Sequence, residues 1–173
     1  LSNGGDDPKK PAMSTCTPTI YNGRAYVGVS GTSQFGAYSG HNLTVIDLNT
    51  MAVVYSVPTQ GYPQTSGILT TAYDEGDGTV YVYFFDNYTP GKLRVLRDRP
   101  GQTAAEPTTV ETADGRQLDT AYVLFTPSGE QAQYAICSPV VDADGTIYFK
   151  NDSGYLMAVG SVPTEVTVTA QPE

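Results

Sequence analysis

The segment Cys137–Gly160 (CSPVVDADGTIYFKNDSGYLMAVG) constrains the fold more than any other part of the chain, because short apolar runs alternate in it with turn-forming residues. Ser138–Val141 is a compact apolar piece. Asp142–Gly145 follows as a tight hairpin turn, since Asp tolerates and Gly supplies the positive φ that such a turn demands. Thr146–Lys150, β-branched and aromatic, reads as a second strand. Asn151–Gly154 is a second turn, and Tyr155–Val159 a third strand.

The same skeleton occurs twice upstream. One copy is Cys16–Ile20, a turn at Asn22-Gly23, Arg24–Gly28 and, after a long insertion, Asn42–Leu48. The other is Thr65–Leu69, a turn around Gly76–Gly78, Thr79–Tyr83 and Gly91–Leu96. All copies share Ser or Thr followed by Pro or Gly, a glycine turn, and a tyrosine in the second strand (Tyr26, Tyr81, Tyr148). Their third strands begin at Leu43, Leu93 and Leu156. A fourth strand is expected at Ala52–Val57 in the first copy, at Thr108–Thr112 or Ala121–Phe125 in the second, and at Glu165–Thr169 in the third. Such a four-stranded meander is the blade of a β-propeller. The expected fold class is therefore all-β: a partial β-propeller of about three four-stranded antiparallel blades at 13–59, 64–125 and 132–170, after a linker over 1–12. Propellers close with about four to eight blades. The expectation is a C-terminal part of a larger propeller, closed by the remaining blades of a parent chain or by self-association.

The string SPVVDADGTIY followed by DSGYLMAV resembles the repeat of the quinoprotein-like β-propellers, the pyrroloquinoline-quinone repeat superfamily. The resemblance is best over 137–160, fair over 16–57 and weaker over 65–96. It implies the fold, which hosts dehydrogenases, assembly lipoproteins and surface proteins alike, so fold alone assigns no activity. It also implies what a quinone-dependent dehydrogenase would carry: a tryptophan-bearing docking motif, often a vicinal disulfide, and a calcium site. The chain has no Trp and its two cysteines are not adjacent. A bacterial surface type that binds no quinone, with no cofactor and no metal, is expected. A fragment of a quinoprotein-type dehydrogenase or other propeller enzyme, completed by missing blades, is the alternative.

Composition narrows the partners. With 13 Tyr, 18 Gly and 12 Pro in 173 residues the chain favours β-structure. Its net charge of −9 speaks against nucleic acid, which recruits basic surface. No apolar run approaches the ~20 residues of a membrane span, so no transmembrane segment is expected. An extracytoplasmic location, secreted or on the cell surface, suits this balance. Cys16 and Cys137 occupy equivalent positions two copies apart, beyond the ~7 Å Cα separation a disulfide tolerates, and are expected to be small buried residues packing an inner strand.

Chemistry has few footholds. His41 is the only histidine and has no nucleophile elbow to serve, so no catalytic residue is assigned. The acidic turns Asp74–Gly78 and Asp142–Gly145 lack the ligand spacing of a calcium loop and read as hairpin turns. Lys92 and Arg94 share one face of a strand and read as solvated. In a blade, the loop between the second and third strands shares a rim with the connection between blades. That places Ser30–His41, Pro58–Gln64, Asp86–Gly91 and Thr126–Gln133 together. These loops bring Phe35, Tyr38, His41, Tyr62 and Tyr88, a set of rings suited to a glycan or a protein ligand. The expected function is non-catalytic binding or scaffolding, with the rim as the ligand-binding surface.

Overall fold

The computed structural model describes residues 13–31, 39–72, 74, 76–106, 108–111, 117–120 and 122–160. The chain is all-β. Strands β1 (Thr19–Tyr21), β2 (Arg24–Gly31), β3 (Ser39–Asp47) and β4 (Ala52–Pro58) form an antiparallel meander, sheet 1. Strands β5 (Ile68–Thr70), β6 (Val80–Phe85) and β7 (Leu93–Asp98) begin sheet 2. A separate hairpin, β8 (Thr108–Glu111) with β9 (Gln117–Thr120), then interrupts it before β10 (Tyr122–Phe125) pairs with β7 as its fourth strand. Sheet 3 is β11 (Val140–Val141), β12 (Ile147–Lys150) and β13 (Leu156–Val159). The sheets are the blades of a partial propeller. Of the two segments considered for the fourth strand of sheet 2, the later one takes that place and the earlier one folds into the inserted hairpin. The fourth strand expected at Glu165–Thr169 and the linker 1–12 lie outside the described residues.

Turn chemistry sets the registers. Asn22 and Gly23 both take positive φ, 44° and 75°, the type I′ geometry that matches strand twist. Asp74 Oδ1 accepts the amides of Gly76 and Gly78, and Asp142 Oδ1 those of Asp144 and Thr146, both at 2.9–3.0 Å. These carboxylates build turns, as their sequence implied.

Period-two alternation then sorts side chains between neighbouring sheets. In β6, Val80, Val82 and Phe84 face sheet 1, where they join Tyr26, Leu43, Val45, Tyr55 and Val57. The intervening Phe85 faces sheet 3 and meets Ile147, Phe149 and Met157, with Tyr83 at the edge. Sheet 2 is thus sandwiched, with apolar side chains packed on both of its faces. The connection from sheet 1 to sheet 2 runs close across β2. A Cβ on Gly28 would lie 1.9 Å from the Pro63 carbonyl oxygen, so only glycine fits there.

Cys16 and Cys137 are both free thiols, and each is half-buried rather than buried as expected. Cys16 Sγ accepts the Gly28 amide at 3.2 Å. At the matching position of the second copy, Thr65 Oγ1 accepts the amide of Phe85 at 3.1 Å. The position needs a small acceptor beside the second strand, and either residue supplies it.

Candidate functional site

The loops at one end of the sheets are bonded to one another along the rim. Thr59 donates its amide to the His41 carbonyl (3.0 Å), Asn87 to that of Tyr62 (2.9 Å) and Gly91 to that of Gln133 (3.0 Å). On sheet 3, Asp152 donates to the Tyr134 carbonyl and the Asn151 side chain to that of Gln131. The rim is a connected ledge over all the sheets.

The expected site residues divide on it. His41 and Tyr62 come together, stacked with centroids 6.4 Å apart and planes 17° from parallel. Tyr62 is only 5% exposed, and its hydroxyl accepts the Thr15 amide at 2.6 Å. Its ring therefore anchors the blade connection. His41 is half-buried, with Nδ1 3.0 Å from Ser30 Oγ. Ser30 is fully buried, so this serine–histidine contact offers no accessible hydroxyl. Tyr88 is 42% exposed and presents its ring to solvent. Beside its loop, Lys92 Nζ donates to Gln60 Oε1 at 3.0 Å. Phe35 and Tyr38 lie outside the described residues.

Two aromatics of the rim escaped the sequence reading. Tyr134 is 49% exposed one residue beyond the loop assigned to the rim, and the Gly91–Gln133 bond ties its segment to that of Tyr88. Tyr155, at the foot of β13, donates its hydroxyl to Glu130 at 2.9 Å, and that bond raises its pKa. The available signal was position alone: both follow turns that open on the same rim.

Beneath the rim and between the sheets, buried charges hold the structure together. Arg94 is 4% exposed and grips the fully buried Asp86 through Nε (2.9 Å) and Nη2 (2.8 Å). Asp86 Oδ1 also accepts the Lys92 amide. The expectation of a solvated Lys92–Arg94 face is thus corrected for Arg94, because a carboxyl buried in the same loop demands a cation. Arg97 and Arg99, about half-exposed, both pair with Glu106. Between sheets 1 and 2, Asp98 receives Arg24 (2.6 Å), Tyr26 (2.6 Å) and Tyr55 (2.7 Å). Burial, then the Asp98 hydrogen bond and charge, push both tyrosine hydroxyls far above their ordinary pKa.

Two clefts accompany these interfaces. One of about 260 Å³ reaches Arg24, Tyr26 and Asp98 from the end opposite the rim. The polar groups at its floor are already bonded to each other. The other, about 350 Å³, opens between β5 and β11–β12 and is walled by Ile68, Leu69, Tyr83, Val141 and Ile147. It can bury an apolar group, but only Thr70 and Tyr83 among its walls carry polar side chains to orient one. Among the described residues, no three His, Cys, Asp or Glu side chains converge as metal ligands, and no helix is long and apolar enough to cross a membrane. No family model matches the chain, and no curated protein is significantly similar to it.

Proposed function

We propose that the chain is a non-catalytic binding and scaffolding module of an extracytoplasmic, quinoprotein-like propeller, and that it holds a glycan on the loop rim. The observation that carries this reading is the exposure of Tyr88 and Tyr134, 42% and 49%, on loops that are hydrogen-bonded to one another. Flat rings on a fixed ledge stack on sugar faces, while Lys92, Gln60 and Glu130 beside them offer polar partners. The buried ionisable groups Asp86, Arg94 and Asp98 are committed to holding strands and sheets, which favours binding over catalysis. The three stacked sheets among the described residues are fewer than a propeller needs to close, and further blades of a parent chain or other copies of this one would complete it.

The test is a glycan-array screen followed by calorimetry on wild type, Tyr88→Ala and Tyr134→Ala. The expected result is a glycan whose affinity falls at least about tenfold in each variant, the loss of an aromatic anchor. A protein ligand lost in the same variants would keep the rim and remove the glycan. Binding indifferent to both substitutions sinks the rim reading. A quinone spectrum on adding pyrroloquinoline quinone and calcium would replace it with the dehydrogenase alternative.

A further inference from the structure

Tyr62 and Tyr134 hold one position of the repeat, and the fold completes only the first. The Thr17 amide donates to Ser66 Oγ at 2.8 Å, and the Ser66 amide donates to Ser138 Oγ at 3.0 Å, so one bond recurs from sheet to sheet. Tyr62 and Tyr134 each stand four residues before the serine that follows them. Their carbonyls accept matching amides just beyond the second strands, from Asn87 and Asp152. Two further pairs of positions correspond in sheets 1 and 2. Thr15 and Gln64 each stand two residues before Thr17 or Ser66. His41 and Gly91 each stand two residues before the leucine, Leu43 or Leu93, that pairs with the second strand.

Tyr62 receives two partners from sheet 1. Its ring stacks on His41 and its hydroxyl accepts the Thr15 amide at 2.6 Å, which leaves it 5% exposed. Tyr134 receives neither from sheet 2. In the place of the His41 ring stands Gly91, and a Cβ there would lie 2.6 Å from that of Ala135. The close crossing of the segment that carries Tyr134 therefore keeps any side chain out of that position. In the place of the Thr15 amide stands that of Gln64, which already donates to the Tyr62 carbonyl at 2.9 Å. Tyr134 is accordingly half-exposed, and among the described residues it has neither a ring contact nor a partner for its hydroxyl.

We propose that Tyr134 binds an N-acetylated amino sugar, whose ring and amide take the places that His41 and Thr15 take on Tyr62. This rests on the rim reading above and names its sugar. An N-acetylhexosamine carries both groups on one residue. The C–H face of its pyranose covers the phenol ring, and the N–H of its acetamido group donates to the Tyr134 hydroxyl oxygen. The backbone groups that join the rim loops are bonded to one another and offer a peptide no strand to pair with, which favours a sugar held by side chains.

A glycan array followed by calorimetry tests it on wild type, Tyr134→Phe and Tyr134→Ala. The first pair of probes is the chitin trimer, of N-acetylglucosamine, and the cellulose trimer, which has hydroxyls in place of the acetamido groups. The comparison is repeated with any other N-acetylated glycan the array selects and its hydroxyl counterpart. Both variants are expected to keep the wild-type circular dichroism, because the side chain they change is half-exposed. Wild type is expected to bind the N-acetylated member of the pair about three- to tenfold more tightly, the worth of one hydrogen bond. Tyr134→Phe keeps the ring and levels the two affinities, whereas Tyr134→Ala weakens both at least about tenfold. Equal affinities in wild type overturn the proposal, as does a preference that survives Tyr134→Phe, and either result leaves rim binding intact. Failure of every N-acetylated glycan to bind overturns it too. An amide-free glycan lost in Tyr88→Ala would then keep the rim reading, and the absence of any bound glycan would sink both.

Discussion

The two interfaces between sheets use one repeat to reach different solutions. Sheets 1 and 2 meet around a polar centre: Asp98 lies in the contact with Arg24, Tyr26 and Tyr55 reaching it from the neighbouring sheet. Sheets 2 and 3 meet through rings. Phe85 and Phe149 lie 4.6 Å apart, and Phe125 stands edge-on to Phe149 at 6.0 Å. The polar centre demands three donors in fixed places, so it specifies one alignment of the sheets at a cost in desolvation. The aromatic interface gains from area and tolerates exchange of shape. Repetition conserves the strand frame and leaves each interface free to choose its filling.

The comparison breaks first at Asp98. Asp98→Ala leaves two buried tyrosine hydroxyls without their acceptor and Arg24 with only the Gln102 carbonyl, and about 3–5 kcal/mol of stability should vanish in urea titration. A loss below about 1 kcal/mol would make the centre no more specific than the aromatic one. Tyr55→Phe removes one donor and keeps the ring, with an expected cost of about 1–3 kcal/mol by the same titration. Phe149→Leu should cost under about 1.5 kcal/mol, because apolar neighbours can close on the smaller side chain. If it costs more than Tyr55→Phe, the contrast between the interfaces is reversed. Ser66→Ala, which removes the acceptor for the Thr17 amide at an exposed edge, should cost least, about 0.5–1 kcal/mol.

Alkali sharpens the same contrast. Tyr26 and Tyr55 have pKa values raised in the folded chain above the ordinary 10.0. Their contribution is fully present below the unfolded pKa and is lost as pH rises through it toward the folded value, because the unfolded chain releases protons that the folded chain keeps. Stability should therefore fall as pH climbs above about 10, and the fall should be shallower in Tyr26→Phe and Tyr55→Phe. Equal slopes in wild type and both variants would show that these hydroxyls titrate alike folded and unfolded.

Much of the frame was legible because its signals are local. Asn22-Gly23 and Asp142–Gly145 can do little else than turn, and the alternation in Val80–Phe85 assigns its two faces without knowledge of the neighbours. The choice between Thr108–Thr112 and Ala121–Phe125 was not legible. Both segments have strand propensity, and only pairing with β7 distinguishes them. At the candidate site, the segments Pro58–Gln64, Asp86–Gly91 and Thr126–Gln133 are joined by backbone hydrogen bonds along one rim, but the state of each ring was not legible. Tyr62 and Tyr88 look alike in sequence. One is buried because the connection carrying it crosses β2 at Gly28, and the other projects from a loop tip. Arg94 read as solvated because nothing nearby in sequence announces that Asp86 will be buried beside it.

The amino-acid sequence determined by itself the all-β class, the repeat, the turns and the face on which each strand residue stands. These depend on φ preferences and on a side-chain period of two, which act within a few residues. Only the tertiary structure decided which groups meet: Asp98 with Tyr26 and Tyr55, Asp86 with Arg94, and the hydroxyl chain through Ser66 and Ser138. Burial makes such pairings necessary, and burial is a property of the assembled sheets rather than of any one strand.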